Sequence, residues 1–437
     1  MSDQRLMLSA DKLRMLIAFM LLFPLFFQVS EGVFRDPSMY FDSGGVLSRL
    51  PIPLSVIACY GGILVLGAYK RASLSLSFVF FTCVLTVTST ILATQGEPVQ
   101  EQGKFILVVQ FILPTLALVL GQLYEVRGNN SVSFEKVFLY ILATLVPLQL
   151  LFSWVQGKLL LSPYFYVFSI YQHLQYVPVI FVCCYLIALY ALWKEKPFKK
   201  TLFILAPLMG IYAAASFSML ATFVLVVGAL GLAAYQWKRS DKWPMAIFLL
   251  VLAACFGYLN YGKELFAYKF TFLNATNEQV KKETNEQVKK ELQQINKIAP
   301  NLGERIRYWR YYGENVASSP KVFLFGHAER LERSQYPSAH NYYLDFVYNF
   351  GILALLPMLA VISYTFVMIY QYRREIIASP SLFGLAAVVI FLLIADNSLK
   401  VGLRQPYPGI ITFFLWGVLL TRLSGLSPKQ AGRPVTG

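Results

Sequence analysis

The chain has 437 residues, of which 57% are apolar and only 14% are charged. Soluble domains carry about 45–50% apolar and about 25% charged residues, so the composition excludes a disordered chain, a coiled coil and a disulfide scaffold and indicates a membrane protein with many spans. The net charge is +15, but no basic stripe stands clear of the apolar segments, and nucleic-acid binding is not expected.

Twelve apolar segments of about the length that a bilayer requires follow one another along the chain. We therefore expect an all-α, polytopic membrane protein with about twelve transmembrane helices. The seventh and eighth segments come from one apolar run, Leu202 to Tyr235, which is too long for one helix and which we divide at 216–218. The expected spans are residues 13–29, 51–69, 74–93, 104–123, 137–155, 172–192, 201–215, 217–235, 244–261, 341–370, 382–398 and 409–422.

Basic residues are unevenly distributed over the short connections between these spans. One set of alternate connections, together with both ends of the chain, carries 19 Lys and Arg residues. The other set carries only Arg35, Arg49, Lys104, Lys158, Lys400 and Arg404. Because short cytoplasmic connections are enriched in Lys and Arg, we expect the first set and both chain ends in the cytoplasm.

One long hydrophilic connection separates the ninth span from the tenth. It divides the chain into residues 1–261 with nine spans, the loop 262–340, and residues 341–437 with three spans and a cytoplasmic tail. Long loops cross a membrane largely regardless of charge, so we expect this loop, with its short helices, on the outer side. The octad TNEQVKKE occurs in it twice, at 276–283 and 284–291, which favours a solvated helix over a binding element.

Few ionisable residues fall within the spans. Asp396 and Lys400 lie near the outer end of the eleventh span, and Arg404 follows them. A proton- or ion-coupled transporter is expected to place such groups at mid-depth, where they are costly and functional. Their scarcity therefore argues against that class. The five cysteines all lie in apolar runs, so neither a disulfide nor a metal site is expected.

The three histidines, His173, His327 and His340, all fall on the expected outer face. Only His340 has a context that favours catalysis. The residues 337–338, Pro-Ser, predict a helix start with Ser338 as the N-cap and His340 in the first turn. The positive end of a helix favours a neutral imidazole, which suits a general base. A polar helical face is predicted by side chains at spacings of four: Asn341, Asp345 and Asn349.

Arginines form a second group in the long loop. A planar guanidinium pairs with phosphate oxygens through two hydrogen bonds, so arginines just before a span suit a phosphate or pyrophosphate at headgroup level. Contact with anionic lipids or pairing with nearby glutamates explains any single arginine equally well. The group comprises Arg305, Arg307 and Arg310 around Trp309, followed by Arg330 and Arg333.

Three pieces of sequence carry a family resemblance in their order and spacing. They are RIRYW at 305–309, LFG at 324–326, and HNYYLD at 340–345 followed by NFGI at 349–352. In these pieces, from about Ala206 to Pro357, the chain resembles the O-antigen ligase and polymerase superfamily of polytopic transferases, which move a glycan off a polyprenyl pyrophosphate. By this resemblance, His340 matches the essential loop histidine of the family and Arg305 its loop arginine.

The chain departs from the family at two positions. The family often has a Ser-Arg pair at the turn between the seventh and eighth spans, whereas 215–218 reads Ala-Ser-Phe-Ser. If that turn contacts the pyrophosphate in the family, another cation must replace it here, and Arg404, Arg307 and Arg49 are the candidates. In addition, Gly326 is followed by His-Ala rather than by the usual small-Gly pattern.

The resemblance implies a metal-independent, inverting glycosyltransferase of the bacterial inner membrane that needs no cofactor. Its donor is a polysaccharide on undecaprenyl pyrophosphate. Polymerases of this group tend to carry two large outer loops, and the connection 156–171 is short. We therefore favour the ligase of lipopolysaccharide biosynthesis, which transfers to a lipid A–core hydroxyl on the periplasmic face, over a polymerase with a second lipid-linked glycan as acceptor. The alternative from another class is a lipid-linked glycan flippase.

The candidate site residues follow from these patterns and from the resemblance. His340 and Arg305 are the expected catalytic residues. Contacts to pyrophosphate or glycan are expected from Arg307, Arg310, Arg404, Asn341, Asp345 and Trp309. No P-loop, GxSxG, HExxH or paired-carboxylate motif occurs in the chain, so a soluble nucleotide-diphosphate donor and a divalent cation are not implied.

Overall fold

The computed structural model of the chain is helical. It describes residues 2–27, 52–67, 69–94, 102–126, 133–155, 176–216, 218–237, 242–261, 302–328 and 338–426. Within these ranges the strands are limited to one antiparallel pair of two residues each, Phe26–Phe27 and Ile52–Pro53. The expected all-α class is therefore confirmed.

Seventeen α-helices follow one another in the described ranges. They are α1 Ser2–Leu22, α2 Leu54–Leu66, α3 Ser73–Thr94, α4 Gln102–Ile112, α5 Leu116–Val126, α6 Phe134–Val155, α7 Val177–Leu192, α8 Lys196–Ala215, α9 Met219–Trp237, α10 Trp243–Tyr261, α11 Leu302–Val316, α12 Pro320–Phe325, α13 Tyr342–Gln371, α14 Arg373–Ala378, α15 Pro380–Ile390, α16 Asn397–Leu399 and α17 Pro406–Ser424. Short 3₁₀ turns lie at Tyr69–Ala72, Leu113–Thr115 and Gly402–Arg404, and a π turn lies at Phe391–Asp396.

Among the described residues, eight helical segments are long and apolar enough to cross a membrane, which confirms the expected multi-span character. Each of the twelve expected spans overlaps at least one helix. The apolar run that we divided at 216–218 is indeed broken there, because α8 ends at Ala215 and α9 begins at Met219. Apolar length therefore located the helices, since each must satisfy its own backbone within a bilayer.

The last helix, α17, is the centre of the bundle. It is the most buried of the eight candidate spans, with 83% of its apolar window enclosed by protein, against 28% for the span that contains α3. Its backbone lies directly against α5: a Cβ on Gly417 would fall 2.2 Å from the Leu118 carbonyl oxygen, and one on Gly121 would fall 2.1 Å from that of Phe414. Only glycine permits this approach, which increases van der Waals contact between helices.

Two groups of charged side chains mark opposite ends of α17. At the first, which we call the His340 end, α13 and α17 begin and α16 ends. At the second, which we call the Arg422 end, α5 and α17 end and α6 begins. Arg422 there donates to Glu125 and Glu135 at 2.9 Å each. The bundle thus has paired charges at each end, and those at the Arg422 end are partly buried.

Candidate functional site

The start of α13 differs from the sequence prediction. Asn341, not Ser338, is the N-cap: its backbone is extended, at φ −148° and ψ 116°, and its side-chain oxygen accepts the Leu344 N–H at 3.1 Å. Ser338 instead accepts the N–H of His340 at 3.3 Å. The prediction that His340 lies in the first helical turn is therefore wrong, because the helix begins two residues after it.

His340 adopts a backbone conformation that is uncommon for residues other than glycine. Its φ is +47°, and it is the sole non-glycine residue with positive φ in the described part of the chain. This left-handed conformation costs an L-residue about 1–2 kcal/mol, and such strain clusters at functional sites. The half-buried imidazole stacks on Tyr308 of α11, with ring centroids 5.6 Å apart and an interplanar angle of 18°. The loop helix thus lies against the histidine.

A buried ion pair lies next to this histidine. Asp345, in the first turn of α13, pairs with Arg404 of the 3₁₀ turn that precedes α17. Both side chains are almost fully buried, and the Arg404 guanidinium lies 5.6 Å from the centre of the Phe111 ring. The Ala339 N–H also donates to Asp345, at 3.4 Å. Two residues expected to bind the substrate therefore bind each other.

A second buried ion pair lies where the helical segment formed by α15, the π turn and α16 ends. Lys400 Nζ lies 3.3 Å from an Asp396 carboxylate oxygen, with side-chain exposures of 5% and 6%. The π turn places Asp396 facing inward, and π turns occur frequently at functional sites. The positive charge of Arg305 acts electrostatically on both members of the pair. The structure thus brings the predicted loop arginine to the same end of the bundle as His340.

Asn397 was missed by the sequence analysis, although it organises this helix end. Its amide N–H donates to the Leu392 carbonyl at 2.6 Å, and its amide oxygen accepts the Leu403 N–H at 2.8 Å. The first bond satisfies a carbonyl within the π turn, and the second fixes the turn that carries Arg404. The polar pair Asn-Ser inside an apolar run was the signal that could have revealed it.

The α11 arginines have different environments. Arg305 and Arg307 are half-buried, and Arg307 lies over the Tyr308 ring at 5.2 Å. Arg310 is exposed and donates to Glu314 at 2.9 Å, one turn later on the same helix. For Arg310, the structure therefore favours pairing with a glutamate, an alternative that the sequence had left open. Trp309 is half-buried, and its indole N–H has no hydrogen-bond partner among the described residues.

A sharp break in α13 joins the loop to the bundle. Gly351 has φ +74° within the helix, and a Cβ there would lie 2.1 Å from the Leu324 carbonyl oxygen. Because the break frees the Tyr348 carbonyl, the His327 N–H donates to it at 2.9 Å. The His327 ring also stacks on Tyr348 at 4.4 Å. His327 therefore packs against the helix. This agrees with the expectation that His340, rather than His327, is the base.

Tyr312 is a further residue that sequence reasoning missed. It is buried on α11 and packs against the Tyr348 ring, with centroids 4.8 Å apart. Burial, and to a lesser extent the negative charge of Asp345, raises the pKa of the Tyr312 phenol above its ordinary value. A phenol is already protonated at neutral pH at its ordinary pKa, and this environment keeps Tyr312 a neutral group.

Some sequence predictions fall outside the described residues: His173, Arg330, Arg333, Arg49 and the octads at 276–291. No three His, Cys, Asp or Glu side chains come together as a metal-binding group within the described ranges; independence from metal stays a prediction. No protein-family model, curated protein or solved structure matches this chain.

Proposed function

We propose that the chain is a glycosyltransferase that moves a polysaccharide from undecaprenyl pyrophosphate to an acceptor hydroxyl. The observation that carries the proposal is the arrangement around His340. An imidazole in a strained backbone conformation stacks on Tyr308, one turn after Arg305 on the same helix, and two buried ion pairs lie at the same end of the bundle. A base and a cation thus share one end of a membrane bundle, as the sequence resemblance requires.

The chemistry assigns a proton acceptor and a leaving-group partner. The acceptor hydroxyl transfers its proton to the neutral His340 imidazole as its oxygen forms a bond to the anomeric carbon. The bond from that carbon to the pyrophosphate oxygen breaks, and the electron pair leaves with the pyrophosphate. Arg305 stabilises this charge as a preorganised cation. Attack opposite the leaving group inverts the anomeric configuration, and none of these steps calls for a metal ion.

The membrane arrangement is part of the proposal. We place twelve spans in the bacterial inner membrane, both chain ends in the cytoplasm, and the His340 end with the loop 262–340 in the periplasm. The distribution of basic residues supports this orientation, and an antiparallel contact between the first and last helices supports the placement of both chain ends on one side. Tyr407, at the start of α17, donates to the carbonyl of Leu22 at the end of α1. If cysteines introduced into the octads reacted only with a label added on the cytoplasmic side, this orientation would be wrong.

The acceptor is proposed to be lipid A–core, which makes the chain an O-antigen ligase. The short connection 156–171 supports this choice over a polymerase that uses a second lipid-linked glycan. Arg307, Asn341 and Trp309 remain the expected contacts to pyrophosphate or glycan. Both acceptors, offered separately to the purified protein, distinguish the two enzymes by the product that forms.

The decisive experiment uses purified full-length protein, lipid-linked glycan and acceptor, with product separated on a gel. Because loss of a general base costs about 10²–10⁴ in rate, we expect His340→Ala to lose transfer while it inserts and accumulates normally. His327→Ala is the matched control and should transfer glycan at a near-normal rate. A chelator should leave the rate of the parent protein unchanged. Near-normal turnover by His340→Ala would reject the transferase proposal.

One observation favours a transporter as the second candidate. Asp396 and Lys400 form a buried ion pair at an interrupted helix end, and intramembrane ionisable residues often mark transport pathways. In sealed vesicles, a transporter should move lipid-linked glycan across the membrane without an acceptor. It should also lose this activity in Asp396→Asn and keep it in His340→Ala. A transferase shows the opposite dependence on His340 and forms product only with acceptor.

A further inference from the structure

We infer that Asp345 and Arg404 are positioning residues, which hold the backbone of His340 in its left-handed conformation and do not contact the lipid-linked donor. This inference rests on the proposed function of His340 as the base. It gives a different role to two residues that we expected, from the sequence, to contact pyrophosphate or glycan.

The two oxygens of the Asp345 carboxylate have different partners. One accepts the N–H of Ala339, the residue before His340, at 3.4 Å. The other accepts a guanidinium N–H of Arg404, which lies on the connection between the last two spans. A single carboxylate therefore links the backbone that carries the histidine to a separate element of the bundle.

Arg404 is poorly placed to bind a second anion. Its side chain is 9% exposed, and it lies against Asp345 on one side and the Phe111 ring on another. Its turn is fixed by the hydrogen bond from the Leu403 N–H to Asn397, at 2.8 Å. A donor pyrophosphate that captured Arg404 would leave the Asp345 carboxylate buried without its cation, which is strongly unfavourable.

The backbone of His340, in contrast, needs support. A residue in a sparsely populated backbone region keeps that conformation only where its surroundings determine it at several points. Here Ser338 accepts the N–H of His340, Asp345 holds Ala339, and Asn341 caps α13 directly after it. Of these supports, only Asp345 is anchored to a distant part of the chain, through Arg404. Loss of this anchor should let the backbone relax and move the imidazole.

A double-mutant cycle with uncharged substitutions at Asp345 and Arg404 tests the positioning role through kcat and KM. Asp345→Asn and Arg404→Gln each leave one buried group unpaired, whereas the double variant leaves two amides that can hydrogen-bond to each other. Since misplacement of a catalytic group by about 1 Å costs about 10² in rate, we expect each single variant to lower kcat about 100-fold without raising the KM for donor. The double variant should recover part of kcat, because coupled residues are not additive.

A conservative variant also separates a positioning role of Arg404 from a role in pyrophosphate binding. Arg404→Lys keeps a cation for Asp345, and it should retain most of kcat. If Arg404 instead held pyrophosphate through a guanidinium fork, Lys would be nearly as damaging as Gln. In that case Arg404→Gln would raise the KM for donor, and the double variant would do no better than Arg404→Gln. Either result would overturn the inference.

A spectroscopic readout does not depend on turnover. The chain has three histidines, so His173→Gln with His327→Gln leaves His340 as the sole imidazole, which isotope-labelled NMR can follow through a pH titration. We expect Arg404→Gln to shift the His340 resonances and its titration, and the double variant to return them toward the parent values. Lys321→Gln, on the exposed side of α12, is the control and should leave them unchanged.

The two measurements distinguish failure of this inference from failure of the proposed function. If His340→Ala keeps normal turnover but the His340 resonances still respond to Arg404→Gln, the proposed function falls and the positioning role stands. If His340→Ala abolishes turnover but the resonances of folded Arg404→Gln match the parent, the inference falls and the proposed function stands.

Discussion

Both ends of the bundle hold arginine–carboxylate pairs, but in different backbone settings. At the Arg422 end, Arg422 joins Glu125 and Glu135 at 2.9 Å each, and all three residues lie on regular helix. At the His340 end, Arg404 and Asp345 lie beside a residue at positive φ, a π turn and a break in α13. The same chemistry therefore occurs once in relaxed backbone and once in strained backbone.

Under the proposed function, this difference separates a structural network from one that supports catalysis. An ion pair between regular helices joins them and needs no unusual geometry. Strained conformations cost free energy and persist where the surrounding structure maintains them, which happens mostly at sites of binding or catalysis. Substitutions at the Arg422 end should consequently affect stability alone, whereas substitutions at the His340 end should also lower turnover per folded molecule.

The largest loss of activity is expected from substitution of Arg305, on α11. Arg305→Ala should lower glycan transfer about 10²–10³-fold, the usual cost of losing one preorganised group that stabilises developing negative charge. Arg305→Lys should be nearly as damaging, because an ammonium group does not reproduce the two parallel hydrogen bonds of a guanidinium. Transfer rates of the purified variants, normalised to folded protein, measure both effects.

Lys321→Ala is the control for this prediction, since Lys321 is an exposed cation on the neighbouring helix α12. It should transfer at the parent rate. Full activity in Arg305→Lys would show that a point charge is sufficient and would contradict a forked contact with pyrophosphate.

A smaller effect is expected at the break in α13. In Gly351→Ala, the added Cβ would lie 2.1 Å from the Leu324 carbonyl oxygen, at a φ of +74°. The left-handed backbone costs about 1–2 kcal/mol, and overpacking costs about 1–3 kcal/mol more. We expect a lower unfolding temperature in detergent and reduced glycan transfer, because the loop helices no longer pack closely against α13.

Gly313→Ala provides the matched comparison. A Cβ on Gly313 of α11 meets no atom within 4 Å, and alanine favours a helix over glycine by about 1 kcal/mol. This variant should be as stable as the parent or slightly more so. Equal stability of Gly351→Ala and Gly313→Ala would show that the break is not required.

The smallest effect is expected at the Arg422 end. Arg422→Gln leaves the Glu135 carboxylate, with a side chain only 3% exposed, without its cation, and a buried unsatisfied polar group costs about 1–3 kcal/mol. The unfolding temperature should fall while kcat per folded molecule stays normal. Arg374→Gln, an exposed arginine at the same end, should change neither quantity. A selective loss of kcat in Arg422→Gln would break the distinction between the two ends.

Sequence patterns predicted the helices well because membrane insertion depends on local apolar length. The break at 216–218 followed from this rule, since no single span accommodates the run from Leu202 to Tyr235. The cap of α13 did not follow, because Ser338 and Asn341 are both good N-cap residues and both precede the apolar run. The choice of Asn341 depends on contacts that hold the preceding residues in a loop.

The sequence by itself determined the apolar segments, the uneven distribution of basic residues and the chemical types available at one end of the bundle. The tertiary structure decided which of these residues meet. Asp345 and Arg404 are 59 positions apart, and Arg305 lies far from Asp396 along the chain. No local periodicity relates such residues, because their contact depends on how whole helices pack. The left-handed backbone of His340 was decided in the same way, since its cost is offset only by partners that the folded bundle places around it.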